Sequence, residues 1–310
     1  MITGHSKGID WTSHPLRALL FAPANDSRKM ARFSSSPADA VVVDLEDAVA
    51  LAQKTAARGM AAATLPACRD QVAMVRVNGP ISGLMEDDIR AVVSSSLDCL
   101  VIPKVESADV LLAADEIVTR LEHDDHLPER RIRFLPLIET AVGVARCEEI
   151  ATRSPARVVT LIFGLGDFSA DMGIDLTVGG EELLYARSRI AVATRAARMR
   201  SPLDGPYLDF RNLDGLVRDT ERSRSLGFRG RVVIHPSQVE PVQSAYSQLS
   251  NAELERAQRI VAAFEEAESR GVAAIEVDGG LVDYPVYRSA LNRLEMFKGL
   301  KVGRSNVRTS

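Results

Sequence analysis

Residues Arg133–Thr140 read RFLPLIET, an apolar run of β-strand length that ends in the carboxylate of Glu139. The same design returns in VVTLIFGLGD, residues 158–167, which ends in Asp167. These runs are apolar almost throughout and do not alternate with polar residues, as is typical of parallel strands covered on both faces. The pattern predicts a series of buried parallel strands, each followed by a charged residue.

Eight such runs occur along the chain. They are RALLFA (17–22), AVVVDL (40–45), VAMVRV (72–77), CLVIP (99–103), RFLPLI (133–138), VVTLIF (158–163), a weak strand around 201–204, and RVVI (231–234). Helix-forming segments separate them, and eight strand–helix units over about 235 residues match the usual size of a (β/α)8 TIM barrel. An open doubly wound α/β sheet is the alternative, but the glycine-rich dinucleotide fingerprint is absent after the first strand.

The rest of the chain predicts appendages to this barrel. We expect a flexible N-terminal arm over residues 1–15, the barrel domain over 16–245 and a helical lid or oligomerisation segment over 246–298. The polar, basic residues 299–310 predict a disordered tail.

Composition narrows the class of protein. The 310 residues are 46% hydrophobic and carry a formal net charge of −4, which gives no global attraction to nucleic acid or to an anionic membrane. The three cysteines are widely spaced and indicate neither a zinc site nor a disulfide scaffold. The N-terminus lacks signal-peptide features, and no apolar run approaches the roughly 20 residues of a membrane span. We therefore expect a cytoplasmic protein.

Charged or titratable residues stand at seven successive strand ends. In a barrel these ends line the active-site face, where an unpaired charge is costly, so mutual pairing or a metal is expected. The residues are Glu46, Asp47, Arg76, Lys104, Glu139, Asp167, Asp204 and His235.

Two of these acids are the candidate metal ligands. Glu139 and Asp167 offer the hard oxygen ligands that suit Mg²⁺, which takes one or two carboxylates and leaves room for water and substrate. The alternative is that each carboxylate caps the next helix. Glu46 and Asp47 are adjacent and point in different directions, so they are expected to bind metal waters or a lysine.

The basic residues at the strand ends have open roles. Arg76 is expected to bind a substrate carboxylate through two hydrogen bonds, or else to form a rim ion pair with Glu46 or Asp47. Lys104 is expected to be a partner of the same two acids, with Schiff-base chemistry as the weaker alternative. His235 is equally a satisfied rim histidine or a ligand contact.

Several segments together resemble the citrate lyase β-subunit-like group of the HpcH/HpaI aldolase superfamily, from about residue 16 to residue 298. They are LLFAPANDSRKM, VVVDLEDAV, VRVNGP, VIPKVES, LIETAVGV, FGLGDFSADMG, GFRGRVVIHPSQ and DGGLVDYP. The resemblance implies a (β/α)8 barrel, a Mg²⁺ cofactor, and cleavage or formation of a C–C bond in a CoA thioester.

The resemblance also implies roles for individual residues. The metal ligands of the group fall on Glu139 and Asp167, and its substrate-binding arginine falls on Arg76. Its C-terminal acid falls on Asp283 in LVDYP and is supplied to a neighbouring subunit, which implies a homo-oligomer, a trimer or a hexamer. The CoA-independent branch has Glu-His where this chain has Glu46 and Asp47, so the chain resembles the CoA branch.

This chain departs from the group's pattern at three places. Ala24 stands for the glycine of the turn after strand one, Gly230-Arg231 replaces Gly-Lys, and ARMRSPLDGP lacks the usual glycine near strand seven. These differences affect the expected CoA contacts more than the metal chemistry.

The expected activity is cleavage of malyl-CoA, citramalyl-CoA or citryl-CoA to a 2-oxo acid and an acyl-CoA. Arg76, Asp283, Glu46 and Asp47 are the candidate catalytic residues; Glu139 would contact substrate as well as metal. Arg28 and Lys29 are candidates for the CoA phosphates. The alternatives are a malyl-CoA-type thioesterase, a CoA-independent aldolase, a citrate lyase β subunit that needs partner chains with an acyl-carrier thiol, or a non-catalytic scaffold.

Overall fold

A computed structural model describes residues 9–68, 70–247 and 251–305, with side chains up to residue 294. Residues 1–8 of the expected N-terminal arm and residues 306–310 of the expected tail lie outside this range. The chain divides into two compact units, Met1–Tyr246 and Ser247–Ser310. Among the described residues, no helix is both long enough and apolar enough to cross a membrane.

A parallel sheet of seven strands, closed into a barrel, forms the centre of the first unit. Its strands lie side by side in the order β6-β5-β4-β3-β2-β1-β7. They are β1 (Ala18–Pro23), β2 (Ala40–Asp44), β3 (Val72–Arg76), β4 (Cys99–Ile102), β5 (Arg133–Ile138), β6 (Ile162–Phe163) and β7 (Arg231–Val233). This architecture confirms the predicted α/β barrel.

The eighth strand is reduced to two residues. Leu203 bridges Ile162 of β6, and Asp204 bridges Arg231 of β7, both in parallel. Pro202 and Pro206 flank this pair and have no N–H to extend a ladder, which explains why the strand predicted around 201–204 is so short. These two bridges nevertheless connect β6 to β7, the two edge strands of the sheet, and so close the barrel.

Helices follow the strands and cover the barrel. They are α1 (Ser27–Met30), α2 (Lys54–Thr64), α3 (Met85–Val92), α4 (Ala108–Asp124), α5 (Ala141–Ala145), α6 (Cys147–Arg153), α7 (Leu165–Met172), α8 (Leu184–Ala196), α9 (Leu213–Ser225) and α10 (Val239–Ser247). Short 3-10 helices occupy Phe33–Ser35, Leu51–Gln53, Leu65–Ala67, Pro80–Ser82, Glu181–Leu183 and Pro236–Gln238.

Alternation along each strand divides the core into two layers. Successive side chains of a strand point to opposite faces, so Ala40 and Val42 enter the cluster inside the barrel while Val41 and Val43 join the cluster beneath the helices. By the same alternation Asp44 points inward at the end of β2. This rule determines which charged strand ends enter the mouth of the barrel.

The second unit is a helix pair with a hairpin. It contains α11 (Asn251–Ser269), β8 (Ile275–Val277), β9 (Gly280–Val282) and α12 (Tyr284–Ser305). Asp278 and Gly279 have φ of 53° and 76°, the left-handed pair that a two-residue hairpin turn requires. The helix continues to Ser305, whereas the sequence predicts disorder from residue 299. Extending an existing helix costs far less than starting one, and no proline interrupts this segment.

Candidate active site

The carboxyl ends of β2 and β3 carry a buried ion pair. Asp44 and Arg76 are paired in register, and the Asp44 carboxylate accepts hydrogen bonds from Arg76 Nε (2.7 Å) and Nη2 (2.6 Å). Arg76 Nη1 also lies 3.0 Å from Glu46 Oε2. Arg76 thus forms the ion pair with Glu46 that was one of the alternatives from sequence, and it also pairs with Asp44.

Sequence reasoning missed Asp44 because it treated this residue as the interior of the run AVVVDL. The available signal was the alternation itself: counting in steps of two from Ala40 places Asp44 on the inner face of the barrel. Asp44 is buried, and its carboxylate is paired with the Arg76 guanidinium.

The environment keeps Arg76 charged. Burial alone would lower the pKa of Arg76, but the carboxylates of Asp44 and Glu46 outweigh that effect and raise it. The guanidinium carbon also lies 5.4 Å from the centre of the Phe21 ring, which favours a cation. Asp44 accepts from Nε and Nη2, and Glu46 lies beside Nη1.

Lys104 connects the two sides of the site. It follows β4 with a left-handed φ of 52°, and its backbone N–H donates to Glu139 Oε1 at 2.8 Å. Its ammonium group lies 2.8 Å from Glu46 Oε1, 3.0 Å from Asp47 Oδ2 and 3.8 Å from Asp167 Oδ1. The partnership with Glu46 and Asp47 agrees with the prediction from sequence.

The loop that carries Glu46 is anchored from below. Lys54, at the start of α2, donates from Nζ to the carbonyl oxygens of Leu45 and Glu46 at 2.7 Å each. The Glu46 N–H donates to Asp44 Oδ1 at 2.9 Å. Burial raises the pKa of Glu46, although Arg76 acts in the opposite direction. These contacts fix the position of the Glu46 carboxylate at the mouth of the barrel.

Glu139 lies at the centre of this acidic surface. It is buried, and burial together with the charges of Glu46 and Asp167 raises its pKa to about 8. A Cβ built on Gly164 would lie 2.3 Å from Glu139 Oε2, so only glycine allows the chain after β6 to pass so close. A Cβ on Gly166 would contact nothing within 4 Å, which leaves open space beside the site.

Helix capping does not account for Glu139. The cap of α5 is Thr140, whose hydroxyl accepts the Gly143 N–H at 3.0 Å, so that alternative is wrong for Glu139. Asp167 lies in the first turn of α7, where the helix dipole stabilises a carboxylate. Its side chain is 40% exposed, and it lies next to Lys104.

Asp204 does not join this cluster, contrary to the expectation for the strand ends. Its carboxylate lies 3.0 Å from Arg187 and 3.4 Å from Arg231, in a buried network beneath α8 and α9. The reason is alternation: Leu203 fills the inside of the barrel, so Asp204 faces the helices. Asp219 of α9 belongs to the same network. Burial alone would raise the pKa of Asp219, but the guanidinium groups of Arg231 and Arg187 lower it to about 2.

His235 has a local structural role. Its Nδ1 accepts the Ser237 N–H at 3.2 Å and so caps a short 3-10 helix, and its ring stacks on Phe210 with centroids 5.1 Å apart. These contacts favour the satisfied rim histidine over a ligand contact. Arg231 is fully buried and belongs to the network around Asp204.

The remaining candidates are Arg28, Lys29 and Asp283. Arg28 and Lys29 are exposed on α1, which follows the strand whose last residue, Pro23, pairs with Asp44. They therefore stand at the same end of the barrel as the acids. Asp283 belongs to the second unit, where its carboxylate accepts the Val286 N–H at 3.2 Å at the start of α12.

The donor set fits a hard divalent cation. Within the described residues, no group of three or more His, Cys, Asp or Glu side chains is arranged as a complete metal cage. Mg²⁺ requires only one or two carboxylates, because water and substrate supply its other ligands. Burial, together with the charges of Glu46 and Asp167, raises the pKa of Glu139, and a divalent cation bound there would stabilise the ionised carboxylate.

Comparisons with known proteins show the family of the chain. Residues 17–236 match the HpcH/HpaI aldolase/citrate lyase family. The citrate lyase subunit beta of Leuconostoc mesenteroides subsp. cremoris is 33% identical over 87% of this chain and 89% of its own. Human mitochondrial citramalyl-CoA lyase is 32% identical over 96% and 90%, and a (3S)-malyl-CoA thioesterase of Cereibacter sphaeroides is 34% identical over 87% and 90%.

Solved structures share the fold. The CitE protein of Mycobacterium tuberculosis, crystallised with magnesium, acetoacetate and coenzyme A, superposes with a TM-score of 0.72 at 29% identity, covering 93% of this chain and 99% of that one. A citrate lyase from Burkholderia xenovorans LB400 has a TM-score of 0.79 at 19% identity, covering 95% and 93%, and is similar in fold.

Proposed function

The chain belongs to the HpcH/HpaI aldolase/citrate lyase family, and we propose that it is a magnesium-dependent carbon–carbon lyase acting on a short 3-hydroxyacyl-CoA thioester. The substrate is malyl-CoA, citramalyl-CoA or citryl-CoA, and the products are a 2-oxo acid and an acyl-CoA. Relatives that are lyases of CoA thioesters or of citrate support the reaction class. The observation that carries the proposal is the contact of Lys104 with both Glu139 and Asp167 beside the Arg76 guanidinium.

Glu139 and Asp167 would hold the magnesium ion. The crystal structure of the Mycobacterium protein in complex with magnesium supports this choice of cofactor. When bound, Mg²⁺ supplies Lewis-acid polarisation of the substrate oxygens. The open space beside Gly166 gives the substrate access to this point.

Arg76 binds the carboxylate of the 2-oxo acid portion. Asp44 accepts hydrogen bonds from Nε and Nη2, so the guanidinium is oriented before substrate arrives and loses little freedom on binding. Glu46 shares Nη1 and keeps the arginine from turning away. Glu46 and Asp47 together are the two carboxylates that pair with Lys104.

Asp283 moves the proton at the carbon that leaves with the thioester. In cleavage it donates a proton to that carbon, and in condensation it removes one. We propose that it reaches the site of a neighbouring copy in a homo-oligomer, a trimer or a hexamer. Arg28 and Lys29 contact the CoA phosphates, which their exposure at the same barrel end supports.

A second function is a malyl-CoA-type thioesterase, which the Cereibacter relative supports. A third is a citrate lyase β subunit that works with partner chains, as the Leuconostoc relative's name suggests. In each case the same acids and Arg76 bind the same end of the substrate, and the bond that breaks differs.

One assay separates these functions. Purified protein with Mg²⁺ is given malyl-CoA, citramalyl-CoA and citryl-CoA, and 2-oxo acid and free thiol are measured separately. We expect oxo acid without thiol. Thiol without oxo acid would establish the thioesterase, and turnover only after addition of acyl-carrier partner chains would establish the lyase subunit. Turnover of a free hydroxy-oxo acid without CoA would contradict all three.

A further inference from the structure

The position of Lys104 has a consequence beyond pairing with Glu46 and Asp47. Its φ of 52° is uncommon for a residue with a side chain, and such strain is typical of functional sites. The left-handed turn lets one residue contact both proposed metal ligands, Glu139 through its backbone N–H and Asp167 through its ammonium group.

The charges of the site are unequal. Five carboxylates, Asp44, Glu46, Asp47, Glu139 and Asp167, face two cations, Arg76 and Lys104. Arg76 donates two hydrogen bonds to Asp44, and its side chain is 15% exposed. The Lys104 side chain is 34% exposed and carries its ammonium group on a flexible stem, so Lys104 is the cation that can move.

The contacts of the Lys104 ammonium group differ in strength. It donates hydrogen bonds to Glu46 and Asp47 at 2.8 and 3.0 Å. It lies 3.8 Å from Asp167, which is close enough for an ion pair but too far for a hydrogen bond. A divalent ion that binds Asp167 therefore displaces the weakest of the three contacts and leaves the other two in place.

From this geometry we infer that Lys104 is a built-in counter-cation that competes with Mg²⁺ for Asp167 while it holds Glu46 and Asp47 in position. The inference rests on the metal site proposed above. Lys104 is thus a positioning residue whose presence lowers the affinity of the site for magnesium. A purely structural brace would have the opposite effect, since its loss would disorder the ligands and weaken metal binding.

The test is the sign of the change in Mg²⁺ affinity. The variant Lys104→Met removes the charge and keeps most of the stem. We expect its dissociation constant for Mg²⁺, measured by isothermal titration calorimetry without substrate, to fall roughly tenfold, the effect of one partly screened unit charge. We expect kcat to fall at saturating Mg²⁺, because Glu46 and Asp47 lose their partner.

Two further variants complete the test. Lys104→Arg keeps the charge and is expected to bring the Mg²⁺ affinity back toward that of the unaltered protein. Arg90→Met removes a positive charge from the exposed pair with Glu86 on α3, and is expected to leave the affinity unchanged. Thermal unfolding of each variant shows that it is folded.

The outcomes are distinguishable. Equal or weaker Mg²⁺ binding by folded Lys104→Met, alongside normal binding by the unaltered protein, would overturn this inference and leave the proposed lyase intact. If the unaltered protein binds no Mg²⁺, or if Asp167→Asn binds it equally well, the proposed metal site itself is wrong. Tighter binding by Lys104→Met that Lys104→Arg reverses would establish the inference.

Discussion

Glu139 is a buried acid among other acids, and its titration links stability to pH. In the unfolded chain the carboxyl ionises near 4.5, and in the folded protein its pKa is about 8. Between these values the folded state holds more protons than the unfolded state, so the free energy of unfolding falls as pH rises from about 4.5 to about 8. Above that range the loss is complete.

Glu139→Gln should remove this pH dependence. Glutamine keeps an oxygen for the Lys104 N–H but has no charge to bury. In metal-free buffer we expect the stability of the variant relative to the unaltered protein to rise from pH 5 to pH 9. The upper bound is about 1.4 kcal/mol for each pH unit between the unfolded and folded pKa values of Glu139. Urea unfolding at both pH values measures this difference.

The same variant should lose Mg²⁺-dependent turnover while it stays folded. Full activity would contradict the assignment of Glu139 as a metal ligand. A constant stability difference across the pH range would instead contradict the burial of an ionisable charge at this position.

At the scale of elements, the end of β6 and the start of α7 place the backbone against Glu139. Gly164 has no room for a Cβ, whereas Gly166, two residues later in α7, faces open space. The pair offers a matched comparison within one segment, since both substitutions add the same methyl group.

Gly164→Ala should displace Glu139 or the β6 end, because the new atom would lie 2.3 Å from its carboxylate oxygen. We expect a loss of roughly 1–3 kcal/mol in the free energy of unfolding, typical of overpacking, and weaker Mg²⁺ binding. Gly166→Ala should be neutral or slightly stabilising, since alanine favours a helix over glycine. Equal behaviour of the two variants in urea unfolding would exclude the close approach.

Much of this level can be read from sequence. The long apolar runs that became β1 to β5 were predictable within a residue or two, because burial on both faces imposes continuous hydrophobicity. The strand at Leu203–Asp204 was weak in sequence and is short in the structure, where prolines limit it.

The side-chain partners were less predictable. Asp44 was not predicted to lie in the site, although the alternation of side chains along β2 places it on the inner face. Asp204 was predicted to lie in the site, although the same alternation places it on the outer face. The left-handed backbone of Lys104 and its contact with Glu139 depend on how separate strands meet, which a single stretch of sequence does not contain.

At the scale of the whole molecule, the proposal that Asp283 serves a neighbouring copy has a direct test. Glu139→Gln has an intact Asp283, and Asp283→Asn has an intact barrel mouth, so each variant alone should be nearly inactive. When the two are co-expressed in equal amounts, random assembly combines an intact mouth with an intact donor in about a quarter of the sites.

We therefore expect the mixed oligomers to recover lyase activity that neither parent has, measured as 2-oxo acid formed. The control is the two variants purified separately and mixed without subunit exchange, which should stay inactive. No recovery in the co-expressed sample would mean that Asp283 acts within its own chain or outside the reaction.

The uneven wall of the barrel has a mechanical consequence. Five residue pairs join β1 to β2 and five join β2 to β3. By contrast, β5 and β6 share two, Phe134 of β5 makes one further bridge to Val158, and Leu203 and Asp204 add one bridge each. Local opening is easiest where backbone pairing is shortest, so we expect thermal opening to begin at this seam. Asp44 and Arg76 lie at the ends of β2 and β3, where the pairing is longest, so we expect their ion pair to persist when the seam opens.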